Sequence, residues 1–435
     1  MKIAFHYLGC RLNEAENEHI ARDLVAAGHQ MVSMDDTPDI IVLNTCGVTG
    51  EAMRKSRKCA RKLAAGGIKL LVLMGCAVDL MENGENPVDD DEVASKADND
   101  VQIVRILRKD KNDASKIILD AISQYLSNQI QPENKPAEYR LRMRSFIKIE
   151  DGCNNQCTYC SVRIARGREV SFPTQQILDE INRCIELGEK EFVLTGVQVG
   201  AWKEGDRRLH DLIRDILDKT SVQRLRLSSI EPWHTRPELW SLWHDTRLCP
   251  HFHIPVQSGS DAVLTAMKRR TNIESYLEKI AAIRSEIPDV RISTDIIVGF
   301  PGETDEMWHE TLSFIERASF DDVHLFRFSA RPGTIAYDLP DQISPVIRHK
   351  RWYEAESLIN AIRRQRLANA VGQHCVVLWE NVCESRENQK CWYGYSKNYL
   401  RVNRWFNADK YLRGSISEEI FSTDDIEPNL KYCVD

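Results

Sequence analysis

Nine short apolar runs recur through the first 330 residues, each closed by a turn and followed by a stretch of helical periodicity. No other feature constrains the fold as much. The first three runs are Ile3–Leu8, Ile40–Leu43 and Leu70–Met74; the other six are Ser145–Glu150, Glu191–Thr195, Arg224–Ser229, His251–Val256, Arg291–Val298 and Val323–Phe328. Alternating strand and helix units of this length predict parallel sheets covered by helices. The chain is therefore α/β. The first three units predict an N-terminal doubly wound parallel-sheet domain, with Asn13 placed to cap its first helix and Glu16 three residues on, as in a capping box. Six consecutive units in about 190 residues predict an open (β/α)6 barrel rather than a full eight.

Punctuation between these units sets the domain limits. Residues 82–100 hold eight acids against one lysine and read as a solvated insertion. A helical stretch over 115–130 leads into the polar, proline-bearing NQIQPENKPAEYR, which marks a boundary near residue 135. A basic amphipathic helix over 346–370 closes the barrel segment. The last 65 residues show only short β-prone runs, Cys375–Glu380 and Tyr399–Val402, between polar turns, so a small antiparallel β domain is expected. The expected domains are 1–134, 135–370 and 371–435.

The longest apolar run, Leu70–Val78, is nine residues and too short for a membrane span. KIAFHYLGC lacks the apolar region of a signal peptide, which implies a cytoplasmic protein with no membrane partner. In that compartment the 13 cysteines are metal ligands, reactive thiols or small buried residues rather than disulfides. With a net charge of −7, any nucleic-acid contact must rest on local basic patches.

Two cysteine constellations stand out. GCNNQCTYC places Cys153, Cys157 and Cys160 within eight residues, directly after the first barrel strand. Structural zinc usually takes four protein ligands, and no fourth cysteine or histidine lies nearby in sequence. A four-iron cluster with one open iron fits better, at a strand end where barrel enzymes keep their catalytic groups. The second set, Cys10, Cys46 and Cys76, is dispersed, but each member follows one of the first three strands (HYLGC, LNTC, LMGC). Parallel strands of one sheet end on one edge, so these three can converge as a second trio.

The first motif, with Tyr159 before its last cysteine, resembles the signature of radical S-adenosylmethionine enzymes. The pairing of both trios resembles the methylthiotransferases of that superfamily over nearly the whole chain. The likeness runs through YLGCRLNEAENE, LNTCGVTGEAMRKSR, FIKIEDGCNNQCTYCSVRIARG, LTGVQVGAW, RLRLSSIEP, HIPVQSGSDAVLTAMKRR, STDIIVGFPGET and FSARPGT. It implies a radical S-adenosylmethionine barrel, a C-terminal domain of the TRAM type, two 4Fe-4S clusters and S-adenosyl-L-methionine. The implied catalytic and metal ligands are Cys153, Cys157 and Cys160, with Cys10, Cys46 and Cys76 holding an auxiliary cluster that handles the inserted sulfur. Tyr159, Thr195, Gly196, Gln198, Ser229, Glu231, Gln257 and Asp295, at or near strand ends, are the implied S-adenosylmethionine contacts. After Cys76 the acidic AVDLMENGENPVDDDE departs from the family's usual aromatic-Ala-Gln stretch.

Family substrates are tRNA adenosine-37 bearing a threonylcarbamoyl or an isopentenyl group, or a ribosomal-protein aspartate. GVTGEAMRKSRKCARK and WYGYSKNYLRV resemble the threonylcarbamoyl subgroup most. Arg54, Lys55, Arg57, Lys58, Arg61 and Lys62 put six positive charges in nine residues beside the second trio, and Arg163, Arg166 and Arg168 follow the first. Both groups are placed to hold RNA phosphates. From Val371 onward, eight Lys/Arg face ten Asp/Glu, but Lys397, Tyr399, Arg401, Arg404 and Trp405 interleave charge with aromatics in a pattern suited to unpaired bases. The expected partners are tRNA and an electron donor such as a flavodoxin or ferredoxin, to a monomeric enzyme. A non-catalytic iron–sulfur RNA-binding protein is the alternative of another class. Cys375, Cys383 and Cys391 are evenly spaced but lack a fourth partner at zinc spacing.

Overall fold

The computed structural model describes residues 1–81, 101–126 and 143–431. The acidic 82–100 segment, the boundary near 135 and Cys433 lie outside the described residues.

The first domain is a parallel sheet of β1 (Lys2–Tyr7), β2 (Gln30–Met31), β3 (Ile40–Thr45), β4 (Leu70–Gly75) and β5 (Gln102–Arg105), in the order β2-β1-β3-β4-β5. Its central strands are buried on both faces. Ile40 and Val42 pack with Ile20, Leu24 and Ile118 on one side, and Ile41 and Leu43 with Ala60 and Ala64 on the other. The covering helices are α1 (Arg11–Ala26), α2 (Gly50–Ala64), the short α3 (Cys76–Met81) and α4 (Ala114–Leu126). Thr49 caps α2 by accepting from the Ala52 amide at 3.1 Å. Asn13 does not cap α1. The helix starts three residues earlier, with Cys10 as its N-cap, and the Asn13 side-chain amide instead donates to the Thr45 carbonyl at 3.0 Å. Nor does Glu16 close a capping box; it reaches Lys148 and Arg166 of the next domain.

All six expected barrel strands are present: β6 (Arg144–Lys148), β7 (Glu191–Thr195), β8 (Arg224–Leu227), β9 (His251–His253), β10 (Arg291–Val298) and β11 (Asp322–Arg327). They form two parallel three-stranded sheets joined by the bridges Leu225 to Leu248 and Ser229 to His253, so spatial order follows chain order. Alternation along each strand sorts the residues. Phe192, Leu194, Leu225, Leu227, Ile292 and Ile296 join the helices in one apolar layer. Glu191, Arg226, His253, Ser293 and Asp295 instead make polar contacts with one another and with the C-terminal domain. The helix after the barrel spans Pro345–Ala370.

The C-terminal domain is the expected antiparallel sheet: β12 (His374–Arg386), β13 (Gln389–Ser396), β14 (Arg401–Asn407) and β15 (Ile416–Ile420), ordered β14-β13-β12-β15. The turn between β13 and β14 docks against the N-terminal end of the barrel. Arg226 donates to the Ser396 carbonyl at 2.9 Å, Arg224 to Tyr395 at 3.1 Å and Arg291 to Tyr399 at 3.2 Å. Beneath that turn, Glu191 is clamped by the Nε atoms of Arg224 and Arg226, each at 2.7 Å. At the other end of the barrel the first domain docks through the edge that carries Cys10, Cys46 and Cys76. Arg331 donates to the Gly47 carbonyl at 2.8 Å, and the Gly50 amide donates to Ser329 Oγ at 3.2 Å.

Candidate active site and metal centres

The loop after β6 carries Cys153, Cys157 and Cys160. It is pinned by Cys153 N to Gly167 O (3.0 Å), Thr158 N to Met267 O (3.1 Å) and Cys160 N to Cys157 O (3.2 Å). Gly152 makes the turn possible. Its φ is +83°, and an added Cβ would lie 2.2 Å from the Arg168 carbonyl oxygen. The three thiols sense one another electrostatically, and burial pushes Cys153 and Cys160 up to about 12. Buried thiols of this kind are poor free nucleophiles, and three sulfurs on one short loop at a strand end fit a metal centre with an open position.

The dispersed trio also converges. Cys46 feels the charge of Cys76 and Cys10, Cys76 that of Cys10, and burial pushes Cys46 up to about 12. Gly9, at φ +140°, lets Cys46 approach the Cys10 turn; a Cβ there would lie 3.0 Å from Cys46 Cβ and 3.4 Å from its Sγ. Gly75, at φ +97°, has no room for a Cβ beside the Thr45 carbonyl at 2.4 Å. Both turns thus depend on glycine to bring the sulfurs together, and three sulfurs on one sheet edge fit an iron–sulfur cluster with an open corner.

A single short helix, α5 (Val162–Arg166), joins the two trios. Its Ile164 and Ala165 pack with Met53, Cys76, Ala77 and Leu80. Arg166 follows Cys160 by six residues and donates from Nε to Cys76 Sγ at 3.1 Å. Arg166, expected at an RNA phosphate, is instead buried, held by the Glu16 and Asp151 carboxylates and Asn13.

The strand-end residues gather at the same end of the barrel as the first trio. Glu231 accepts from Arg269 Nη2 at 2.5 Å, and Arg269 Nη1 lies 3.9 Å from Cys157 Sγ. Gln257 holds a left-handed φ of +85°, strain of the kind that marks functional turns. Tyr159 packs against Val263, Met267, Phe300 and Phe328. Ser229 bridges to His253, and Thr195 accepts from the Ile149 amide. Gly196 and Gln198 surround a group missed in the sequence. Glu150 is fully buried, accepts from the Gln198 amide at 2.7 Å, and would lie 2.7 Å from a Cβ on Gly196. Burial pushes its carboxyl up to about 8, and its Oε1 has no hydrogen-bond partner among the described residues.

Asp295 lies between His253 Nε2 at 3.1 Å and His324 Nδ1 at 3.5 Å. His253 in turn meets Ser293 Oγ at 2.9 Å, which fixes the outer nitrogen of that ring. In the sequence His253 is a lone histidine with no ligand spacing around it. Only the register Asp295 to His324, set by β10 and β11, reveals the group.

The basic stretch lies on α2. Arg54, Lys55, Lys58 and Lys62 are exposed, while Arg57 and Arg61 are half-buried. Exposed Arg168 lines a 620 Å³ cleft between the first two domains, together with Arg108, Lys109, Lys111 and Lys148. The remaining two RNA candidates make contacts within the protein. Lys397 donates to the Thr246 carbonyl at 2.8 Å, and buried Arg401 bonds Asn403 at 3.1 Å and covers the Tyr393 ring. The first ties the C-terminal domain to the barrel, and the second stays within the C-terminal domain. Cys375 and Cys391 are buried in the C-terminal sheet, and Cys383 donates to the Cys391 carbonyl.

Residues 147–315 match the model of the Radical SAM superfamily, and residues 2–94 that of the uncharacterized protein family UPF0004. The threonylcarbamoyladenosine tRNA methylthiotransferase MtaB of Chlamydia pneumoniae is 33% identical over 379 residues, covering 86% of each chain. The chain belongs to the radical S-adenosylmethionine methylthiotransferase family. The tRNA-2-methylthio-N(6)-dimethylallyladenosine synthase of Syntrophotalea carbinolica is 31% identical, again over 86% of each chain, and the MtaB of Bacillus subtilis is 27% identical over 92% of this chain and 89% of its own. Among solved structures, the radical S-adenosylmethionine methyltransferase TsrM from Kitasatospora setae superposes with a TM-score of 0.52 at 12% identity over 77% of each chain, a likeness of fold alone. This methylthiotransferase is thus an enzyme whose two modules each bind a 4Fe-4S cluster and which uses S-adenosylmethionine. Among the described residues no helix is long and apolar enough to cross a membrane.

Proposed function

We propose that this methylthiotransferase inserts a methylthio group at C2 of N6-threonylcarbamoyladenosine-37 in tRNA. The observation that carries the reading is the convergence of two cysteine trios, bridged by α5, at the end of the barrel where the first domain docks. Cys153, Cys157 and Cys160 would hold the radical-generating cluster, and Cys10, Cys46 and Cys76 the auxiliary one. Bound there, these groups supply a carbon-centred radical from S-adenosylmethionine and the sulfur for the product. The chain's own residues position and shield. The pinned 153–160 loop fixes the first trio. Arg269 holds Glu231 beside Cys157, and Tyr159, Thr195, Gly196, Gln198, Ser229, Gln257 and Asp295 are the proposed contacts of the cofactor's nucleoside and amino acid.

For RNA, the exposed cations of α2 and the cleft cations Arg108, Lys109 and Arg168 supply phosphate contacts on the first domain and its seam with the barrel. The threonylcarbamoyl substrate is supported by the MtaB relatives of Chlamydia pneumoniae and Bacillus subtilis and by the GVTGEAMRKSRKCARK stretch on α2. The 31% identity to a dimethylallyladenosine synthase supports isopentenyladenosine-37 as the second reading. A low-potential flavodoxin or ferredoxin is the proposed electron donor.

Nucleoside mass spectrometry of tRNA from a deletion strain tests the function: the methylthiolated threonylcarbamoyl nucleoside disappears, and unchanged levels would refute the assignment. Purified enzyme offered both tRNA substrates and the ribosomal protein separates the readings. Cys157→Ala is expected to abolish formation of 5′-deoxyadenosine under anaerobic reduction.

A further inference from the structure

We propose that Arg166 is a positioning residue of the auxiliary centre. Delivered by the loop that carries the radical-site cysteines, its guanidinium holds the Cys76 sulfur and raises the reduction potential of the cluster bound there. The proposal rests on the reading that Cys10, Cys46 and Cys76 hold that cluster.

Four contacts fix the guanidinium. Nε donates to Cys76 Sγ at 3.1 Å, Nη2 to Asn13 Oδ1 at 2.8 Å, and Nη1 to Glu16 Oε1 at 3.0 Å and Asp151 Oδ1 at 3.1 Å. Three of these partners belong to the first domain and one to the barrel. The partners are themselves fixed. Asn13 donates to the Thr45 carbonyl and lies 3.5 Å from Cys10 Sγ, and Glu16 is also bound by Lys148 at 3.1 Å and Asn44 at 3.2 Å. Arg166 is 4% exposed, and because Glu16 and Asp151 offset its charge, its directed Nε–H bond to the sulfur, shielded from solvent, is what acts on the cluster.

This environment has a chemical consequence. A thiolate bound to iron keeps lone pairs that accept hydrogen bonds, and hydrogen bonding to cluster sulfurs is one of the levers that set cluster potentials. An N–H donated to the cluster's sulfur stabilises the electron-rich reduced state, so the potential rises. The rigid planar fork satisfies four acceptors at once, which a lysine ammonium cannot do. Because α5 also carries Ile164 and Ala165 onto Cys76 and Ala77, the same helix fixes one trio relative to the other.

The test uses the full-length chain carrying Cys153→Ala, Cys157→Ala and Cys160→Ala, so that only the auxiliary cluster is read. Iron content, the electron paramagnetic resonance spectrum of the reduced state and the midpoint potential are measured anaerobically in this parent and with Arg166→Gln or Arg166→Lys added. The parent is expected to hold about four irons. A parent without iron overturns the reading that the dispersed trio binds a cluster. Given an iron-loaded parent, Arg166→Gln is expected to keep its iron, shift the spectrum and lower the midpoint potential, with Arg166→Lys restoring part of the loss. A merely structural residue would leave the potential of the loaded fraction unchanged. Asn13→Ala keeps the charge but removes one anchor, and remains informative if Arg166→Gln does not fold; it is expected to lower the potential by less. Iron-loaded Arg166→Lys and Asn13→Ala proteins with the parent's potential and spectrum overturn the proposal.

Discussion

Single residues at the two ends of the barrel have different work. At the cluster end, Gly152 turns the chain where any Cβ would strike the Arg168 carbonyl. Gly152→Ala is therefore expected to misplace the first trio, and iron in the anaerobically purified protein should fall from about eight to about four per chain. At the opposite end, burial acts to raise the Glu191 carboxyl, but Arg224, Arg226 and Arg144 overcome it and hold the group down at about 2. A carboxyl with a depressed folded pKa stabilises the fold fully above its ordinary value near 4.5 and loses that contribution as pH falls toward about 2. Glu191→Gln removes the charge at every pH and leaves two buried guanidinium groups without their anion. It is expected to cost roughly 3–5 kcal/mol, read by chemical denaturation at neutral pH, with a flatter acid limb than the parent. An acid limb that stays parallel to the parent's would show that Glu191 is not the titrating group.

At the scale of elements, the strands were legible because apolar runs between turns carry their own length and period. Each expected barrel strand overlaps its observed strand, and Glu191–Thr195 and Arg291–Val298 agree to the residue. The start of α1 was not legible, because the Asn13 side chain is claimed by the end of β3 rather than by its own helix. Lys397, Tyr399 and Arg401 looked like a base-binding pattern. Alternating charge and aromatics also suits a turn that docks on buried arginines, and only the three-dimensional placement of Arg226 distinguishes the two. The auxiliary trio was legible through equivalent strand ends, whereas Glu150 and the Asp295–His324 contact required the register of the barrel. The α2 stripe offers a test of the RNA surface. Arg54, Lys58 and Lys62 recur every four residues on the exposed face. Replacing all three by alanine should weaken anticodon-arm binding and reduce the slope of log affinity against log salt by about 2. An unchanged slope would place the phosphates elsewhere.

Across the whole molecule, the barrel is gripped at both ends. The first domain meets the cluster end through Arg331, Ser329 and Arg166, and the C-terminal domain closes the other end with Tyr399, whose ring lies 3.6 Å from the Arg226 guanidinium carbon and edge-on to His251. Tyr399 is 3% exposed and adopts φ +63°. Tyr399→Ala is expected to cost about 3 kcal/mol and to loosen the C-terminal domain, measurable as faster amide exchange across β13 and β14. Exchange unchanged in those strands would mean that the domain is held by other contacts.

The open flank of the barrel carries one more consequence. β6 is the outermost strand of its sheet, and its Phe146 amide is met at 3.1 Å by the Glu18 carboxyl from α1, while Ala15 of the same helix packs on Phe146 and Val193. An incomplete barrel would ordinarily present a ladder of unsatisfied amides to any passing polypeptide. Here an intramolecular acid occupies that rung and a helix covers the apolar face, so this edge is closed to strand addition by another polypeptide.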